Sequence, residues 1–142
     1  MNKHELIAAQ DRHSPEFTPE NQQFFKACAE GKLCFEKCTE CGHTQHYPRN
    51  ICVNCGGEVI LKEASGLGTV YTYSIVRFTQ EMPFKKMTPY AVAIIELEEG
   101  VRMLSNVVDC DPGTIKIGMP VRVVFSRTDE NSDIYLPFWK PL

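Results

Sequence analysis

No stretch of the 142 residues approaches the roughly 20 consecutive apolar positions that span a bilayer. Met1 to Gln10 likewise lack the apolar segment of a secretory leader. A cytoplasmic protein without a membrane partner is the expectation. Also missing are a Walker loop, a dinucleotide fingerprint, a G-x-S-x-G elbow and an H-E-x-x-H pair. Asp109, Asp111, Asp129, Glu130 and Asp133 fall in turn-like segments and read as solvated loop residues, so no catalytic residue is assigned. Basic charge is scarce too: 15 Lys and Arg face 18 Asp and Glu, for a net charge of −3. Nucleic-acid binding draws much of its affinity from neutralising phosphates, so this balance argues against it. Neither an internal repeat nor a low-complexity stretch occurs.

Cysteine, by contrast, is plentiful, with seven in the chain. The count is odd and no export signal accompanies it, which disfavours a disulfide framework. Four of the seven form two pairs, Cys38-Thr39-Glu40-Cys41-Gly42 and Cys52-Val53-Asn54-Cys55-Gly56. Each pair suits a tight knuckle in which two thiolates converge and the glycine takes a conformation that a Cβ would oppose. Together Cys38, Cys41, Cys52 and Cys55 supply the closed tetrahedral shell of a structural Zn²⁺. Iron in an electron carrier uses the same ligands; nothing redox-active accompanies them here, so zinc is favoured. Four thiolates leave no open position for water, so the metal's work is folding a ribbon too small to stand alone. His43 and His46 lie between the pairs as surface residues of the ribbon tip, with a ligand role the alternative. Cys28, Cys34 and Cys110 read as small apolar core residues.

Four segments follow from the pattern of the rest. Residues 1–16 are polar and read as a flexible N-terminal arm. Residues 17–33 carry a helix over Pro19 to Glu30, with Thr18 as N-cap, Gly31 as its stop, and Phe24, Ala27 and Cys28 as an apolar stripe. Residues 34–62 hold the ribbon. Residues 63–142 read as five strands near 68–78, 90–98, 101–108, 120–127 and 134–139, with Glu99-Gly100 as a hairpin turn. Ala91, Ala93, Ile95 and Leu97 share one face with Glu96 and Glu98 on the other, and Val121, Val123 and Phe125 alternate with Arg122, which implies a sheet with one buried and one partly wetted face. A small closed barrel would remove its edges; an open sandwich is the alternative. Tyr71, Tyr73, Phe138 and Trp139 are its aromatics.

This mainly β chain, with an N-terminal helix, a ribbon and a five-strand barrel in that order, resembles the domain-of-unknown-function 35 family. The resemblance rests on Phe24 with Gly31-Lys32-Leu33, on the ribbon with Tyr47-Pro48-Arg49, and on Gly68-Thr69-Val70-Tyr71, Pro89-Tyr90-Ala91, Glu99-Gly100-Val101, Ile117-Gly118-Met119-Pro120 and Pro137-Phe138-Trp139-Lys140-Pro141. It implies a rubredoxin-like zinc ribbon followed by an OB-fold barrel. It implies also a non-catalytic accessory subunit of an acyl-CoA-processing complex, which helps to bind or enclose the CoA moiety. A thiolase-like enzyme is the first expected partner, with an enoyl-CoA hydratase or aldolase subunit as alternatives. A nucleic-acid-binding ribbon and barrel is the runner-up of a different class.

Candidate contacts to CoA or to the partner are Phe24, Phe25, Arg49, Phe84, Lys85 and Lys86. Phe24 and Phe25 make an aromatic docking patch or cover the barrel. Arg49 suits an anion or a surface salt bridge. Lys85 and Lys86 stand in the loop Gln80 to Thr88, where OB-folds often reach ligands, with Phe84 and Met87 beside them.

Overall fold

A computed structural model describes residues 5–142; the expected arm's first four residues lie outside the described ones. The helix α1 spans Gln22–Ala29, shorter at its start than the sequence pattern suggests. Thr18 N–H donates to Asn21 Oδ1 at 2.9 Å, while Asn21 and Gln22 N–H both donate to the Thr18 carbonyl. These bonds fold Pro19 and Glu20 into a separate turn, and Asn21 takes the cap position. At the other end Gly31 has φ 76°, and the N–H groups of Gly31 and Lys32 reach the carbonyls of Cys28 and Ala27. That paired arrangement closes the helix in the manner a left-handed glycine permits.

Three strands make the ribbon: β1 (Cys34–Cys38) lies between β2 (Thr44–Gln45) and β3 (Val59–Glu63), antiparallel to both. Five more follow, β4 (Leu67–Val76), β5 (Tyr90–Leu97), β6 (Arg102–Val107), β7 (Pro120–Arg127) and β8 (Tyr135–Pro141). They close into a barrel in the order β4-β5-β6-β8-β7, which decides between barrel and sandwich. Along β5 burial alternates strictly, with Ala91, Ala93, Ile95 and Leu97 inside. Trp139 and Phe125 fill the interior, and Phe24, Cys28 and Leu33 belong to the same apolar cluster. The helix therefore seals the barrel rather than standing apart from it. Phe138 is buried and Tyr73 packs against the core. Tyr71 is a barrel aromatic on the outer face: the register slips between Val70 and Thr72, and the extra residue is turned outward beneath Arg102.

Residues 5–16, expected to be a flexible arm, are instead tied to the barrel. Phe125 N–H donates to the Glu5 carbonyl, and Ile7 N–H returns a bond to the Phe125 carbonyl, which is parallel strand pairing. Gln10 and Arg12 N–H continue to the carbonyls of Arg127 and Thr128. The cause is a vacant edge: β4 accompanies β7 only from Pro120 to Arg122, leaving the later half of β7 to the arm. The Glu5 carboxylate pairs with Arg122 and Lys140, which depresses its pKa through the Lys140 hydrogen bond first.

Candidate metal centre and adjoining groove

Strand β1 delivers Cys38 to the first knuckle, where Cys38 N–H donates to the His43 carbonyl and Gly42 N–H to the Cys38 carbonyl. The second knuckle repeats this, with Cys52 N–H on the Gly57 carbonyl and Gly56 N–H on the Cys52 carbonyl. Gly42 and Gly56 have φ of 76° and 77°, as both turns require. Backbone N–H groups of Glu40 and Cys41 point at Cys38 Sγ at 3.3 and 3.4 Å, and those of Asn54 and Cys55 at Cys52 Sγ at 3.4 and 3.5 Å. At Cys38 these donors, the Cys41 N–H first, lower the thiol's pKa. Hydrogen bonding, led by the His43 N–H, holds Cys41 down to about 6.

The four sulfurs all lie within 4.8 Å of one another, with Cys38–Cys55 at 3.5 Å and Cys41–Cys52 at 3.6 Å. A tetrahedron with Zn–S bonds of about 2.3 Å has edges of about 3.8 Å. The donor set therefore fits Zn²⁺ without rearrangement, and bound zinc would crosslink the two knuckles. Cys28 is fully buried and desolvation pushes its thiol strongly upward, in keeping with a core residue. Cys34 and Cys110 are half-buried.

Neither histidine joins the sulfurs. His46, expected on the ribbon surface, is instead held between Phe24, 5.2 Å away, and Tyr47, 4.4 Å away. Burial lowers its pKa to about 4, so the imidazole is neutral. Beneath it lies a polar network that composition does not announce. The buried Glu36 carboxylate accepts N–H bonds from Arg49 at 2.7 Å, Asn50 at 3.1 Å and the Gln45 side chain at 2.9 Å. Gln45 in turn bonds the Ile51 carbonyl and the Val53 N–H. One buried carboxylate thus sets the path of the chain from Gln45 to Val53.

That path forms one wall of a groove of about 870 Å³. Helix α1 contributes Phe24 and Phe25, the ribbon contributes His46 to Arg49, and β6 and β8 supply Leu104 and Phe138. Three of the six candidate contact residues, Phe24, Phe25 and Arg49, meet here. Phe24 is only 4% exposed and serves as floor, while Phe25, stacked on Phe17 at 5.9 Å, stands nearer the surface. Phe84, Lys85 and Lys86 lie elsewhere, on a 3₁₀ turn in the loop between β4 and β5. Phe84 is half-buried against Tyr90 and His13; both lysines are exposed. The exposed aromatic of that loop is Phe78, at 77%. Arg12, which sequence reasoning passed over, connects the two regions, with its guanidinium 5.2 Å from the rings of both Phe84 and Phe138.

Residues 25–60 match the ChsH2 rubredoxin-like zinc ribbon domain, and residues 61–126 match the ChsH2 C-terminal OB-fold domain. A DUF35 domain-containing scaffold protein of Methanocaldococcus jannaschii is 43% identical over 99 residues, which cover 68% of this chain and 70% of that one. A probable enoyl-CoA hydratase alpha subunit of Thermomonospora curvata is 33% identical over 131 residues, 92% of this chain but 40% of the longer relative. Among solved structures, a chain of an Ltp2-ChsH2(DUF35) aldolase superposes with TM-score 0.79 at 32% identity, covering 90% of this chain and 98% of that one.

Proposed function

Since this chain belongs to the DUF35 family, in which a ChsH2-type zinc ribbon precedes an OB-fold, we propose that it is the non-catalytic accessory subunit of a complex acting on acyl-CoA thioesters. The observation that carries this reading is the likeness, over 90% of the chain, to a chain of an aldolase named for its ChsH2 component. The hydratase alpha subunit among the relatives points to the same class of substrate. A thiolase-like enzyme is the partner to test first, with hydratase and aldolase subunits as the alternatives that the relatives' names supply.

The division of labour follows from the site. A four-thiolate zinc has no position for substrate, so its part is to hold the ribbon. The ribbon then holds Arg49 in the groove that Phe25 also lines, and that groove adds a wall to a CoA site completed by the catalytic subunit. Loop residues Arg77, Phe78, Lys85 and Lys86 are all exposed, in a chain whose net charge is −3. They suit an acidic, apolar-centred face on that subunit.

Pull-down of the tagged chain from its native source, with mass spectrometry of what remains bound, tests the reading. Recovery of an acyl-CoA enzyme whose activity falls when this chain is stripped away is the expected result. Turnover of a thioester by this chain alone, free of any companion, would overturn it.

A further inference from the structure

Arg12 and Phe138 both stand outside the segments that match the two family domains, residues 25–60 and 61–126. A guanidinium keeps its proton in protein surroundings, and burying one of its N–H groups without an acceptor is costly. Here Nε is buried and has no hydrogen-bond partner among the described residues. The ion pairs among the described residues leave Arg12 without a carboxylate. Desolvation lowers its pKa below the ordinary arginine value. Nε itself is sealed from solvent, so an anion entering the groove would meet the terminal nitrogens of the guanidinium, and it would supply the counter-charge that the described residues do not.

The geometry around it is prepared for one. The rings of Phe84 and Phe138 each lie 5.2 Å from Cζ, so the plane of the group is held by two aromatic contacts. Its backbone is pinned by the bond from Arg12 N–H to the Thr128 carbonyl at 2.5 Å. Arg12 also lines the groove, beside Leu104, Leu136 and Pro137. Arg49 and the acidic Glu20 also line the groove, and Arg12 is the cation in it that two aromatic rings orient. An apolar groove with such a cation selects a molecule with an apolar body and an anionic end.

We propose that Arg12 is the anion-recognition residue of this groove, and that the groove takes an amphipathic organic anion ending in a carboxylate or phosphate. The proposal rests on the accessory-subunit reading only for its natural ligand, since a CoA thioester offers phosphates and a free acyl chain offers a carboxylate. Binding itself belongs to the single chain.

Calorimetric titration of the zinc-loaded full chain with octanoate, octyl phosphate and the neutral octanol tests this. At least one anion binds about tenfold or more tightly than the alcohol. Octyl phosphate ahead of octanoate identifies a phosphate as the natural group, and the reverse order identifies a carboxylate. Arg12→Leu erases the preference and leaves octanol affinity in place. Should that variant melt early, Arg12→Gln carries the same expectation. Equal affinities for acids and alcohol, no binding of either anion, or a preference that survives both substitutions overturns the proposal. None of these results depends on a partner, and recovery of a partner by pull-down does not depend on them, so the two readings fail separately.

Discussion

Glu36 accepts the backbone N–H of Arg49 at 2.7 Å across thirteen residues of chain. The bond joins the middle strand of the ribbon to the segment that walls the groove. Two further donors, Asn50 N–H and the Gln45 amide, converge on the same carboxylate. Removing the acceptor would leave the part-buried N–H groups of Arg49 and Asn50 without their partner and leave the buried Gln45 amide with only the Ile51 carbonyl. Glu36→Ala is therefore expected to destabilise the zinc-loaded protein by about 3 kcal/mol. Glu36→Gln, which keeps one carbonyl acceptor, should cost less. Urea unfolding of the three proteins decides; a loss under about 0.5 kcal/mol for Glu36→Ala would mean that the network does not hold the loop.

His46 gives the protein a pH dependence whose sign follows from its burial. Its pKa falls from 6.5 to about 4, chiefly by desolvation, with Glu36 pulling it up and Arg49 pushing it down. The unfolded chain binds a proton at this site near pH 6.5, and the folded chain does so only near pH 4. Stability is whole above pH 6.5 and is lost as pH drops toward 4, at up to about 1.4 kcal/mol per unit. Acid also loosens the thiolates from zinc, so the informative quantity is a difference. His46→Phe keeps the ring against Phe24 and Tyr47 and should show a shallower decline over that window. Parallel melting curves from pH 7 to pH 5 for the two proteins would refute the assignment.

The zinc ligands and the barrel strands were legible because their signals are local. Thiol chemistry at C-x-x-C-G spacing has few other uses, and the short β-branched run from Tyr90 to Leu97 ends at the Glu99-Gly100 turn signal. The network under the ribbon was not legible. Glu36 is 3% exposed, yet it sits in a short strand between Phe35 and Lys37, where a carboxylate ordinarily marks the wet face. Its donors come from residues 45–50, and only the fold brings them near. Arg12 was hidden for a related reason: a polar arm has no periodicity to betray that β7 loses β4 as its second neighbour beyond Arg122. Thr18 was recognised as a capping residue, but its reciprocal bonds with Asn21 displaced the start of the helix by a turn. Tyr71 followed the strand pattern until a bulge turned it outward.

Glycines at the knuckles separate backbone strain from crowding. A Cβ built at Gly56 meets nothing within 4 Å, and its φ is 77°. Gly56→Ala should cost about 1–2 kcal/mol through the left-handed conformation alone. The sulfurs stay in place, so zinc stoichiometry remains one per chain while affinity weakens. Cys52→Ser removes a ligand and should abolish stable zinc binding, leaving the barrel's β signature in circular dichroism. Competition with a chromogenic chelator measures both. If Gly56→Ala lost zinc as completely as Cys52→Ser, the knuckle geometry described above would be wrong.

The loop between β4 and β5 offers a contrast between two phenylalanines. Phe84 is packed against Tyr90, His13 and the Arg12 guanidinium, so Phe84→Ala should lower stability by about 2 kcal/mol. Phe78 is 77% exposed, and Phe78→Ala should leave the isolated chain's melting temperature unchanged. Its effect is expected on assembly. If the loop that carries Phe78, Arg77, Lys85 and Lys86 docks an acidic partner as proposed, truncating its exposed aromatic should weaken binding by about 2 kcal/mol or more, about 30-fold. Lys85→Glu with Lys86→Glu should act mainly on the association rate and its salt dependence. Surface plasmon resonance against the recovered catalytic subunit separates the effects. Unaltered affinity in Phe78→Ala, together with unaltered salt dependence in the double charge reversal, would remove this loop from the interface and leave docking to the face that carries Phe17 and Phe25.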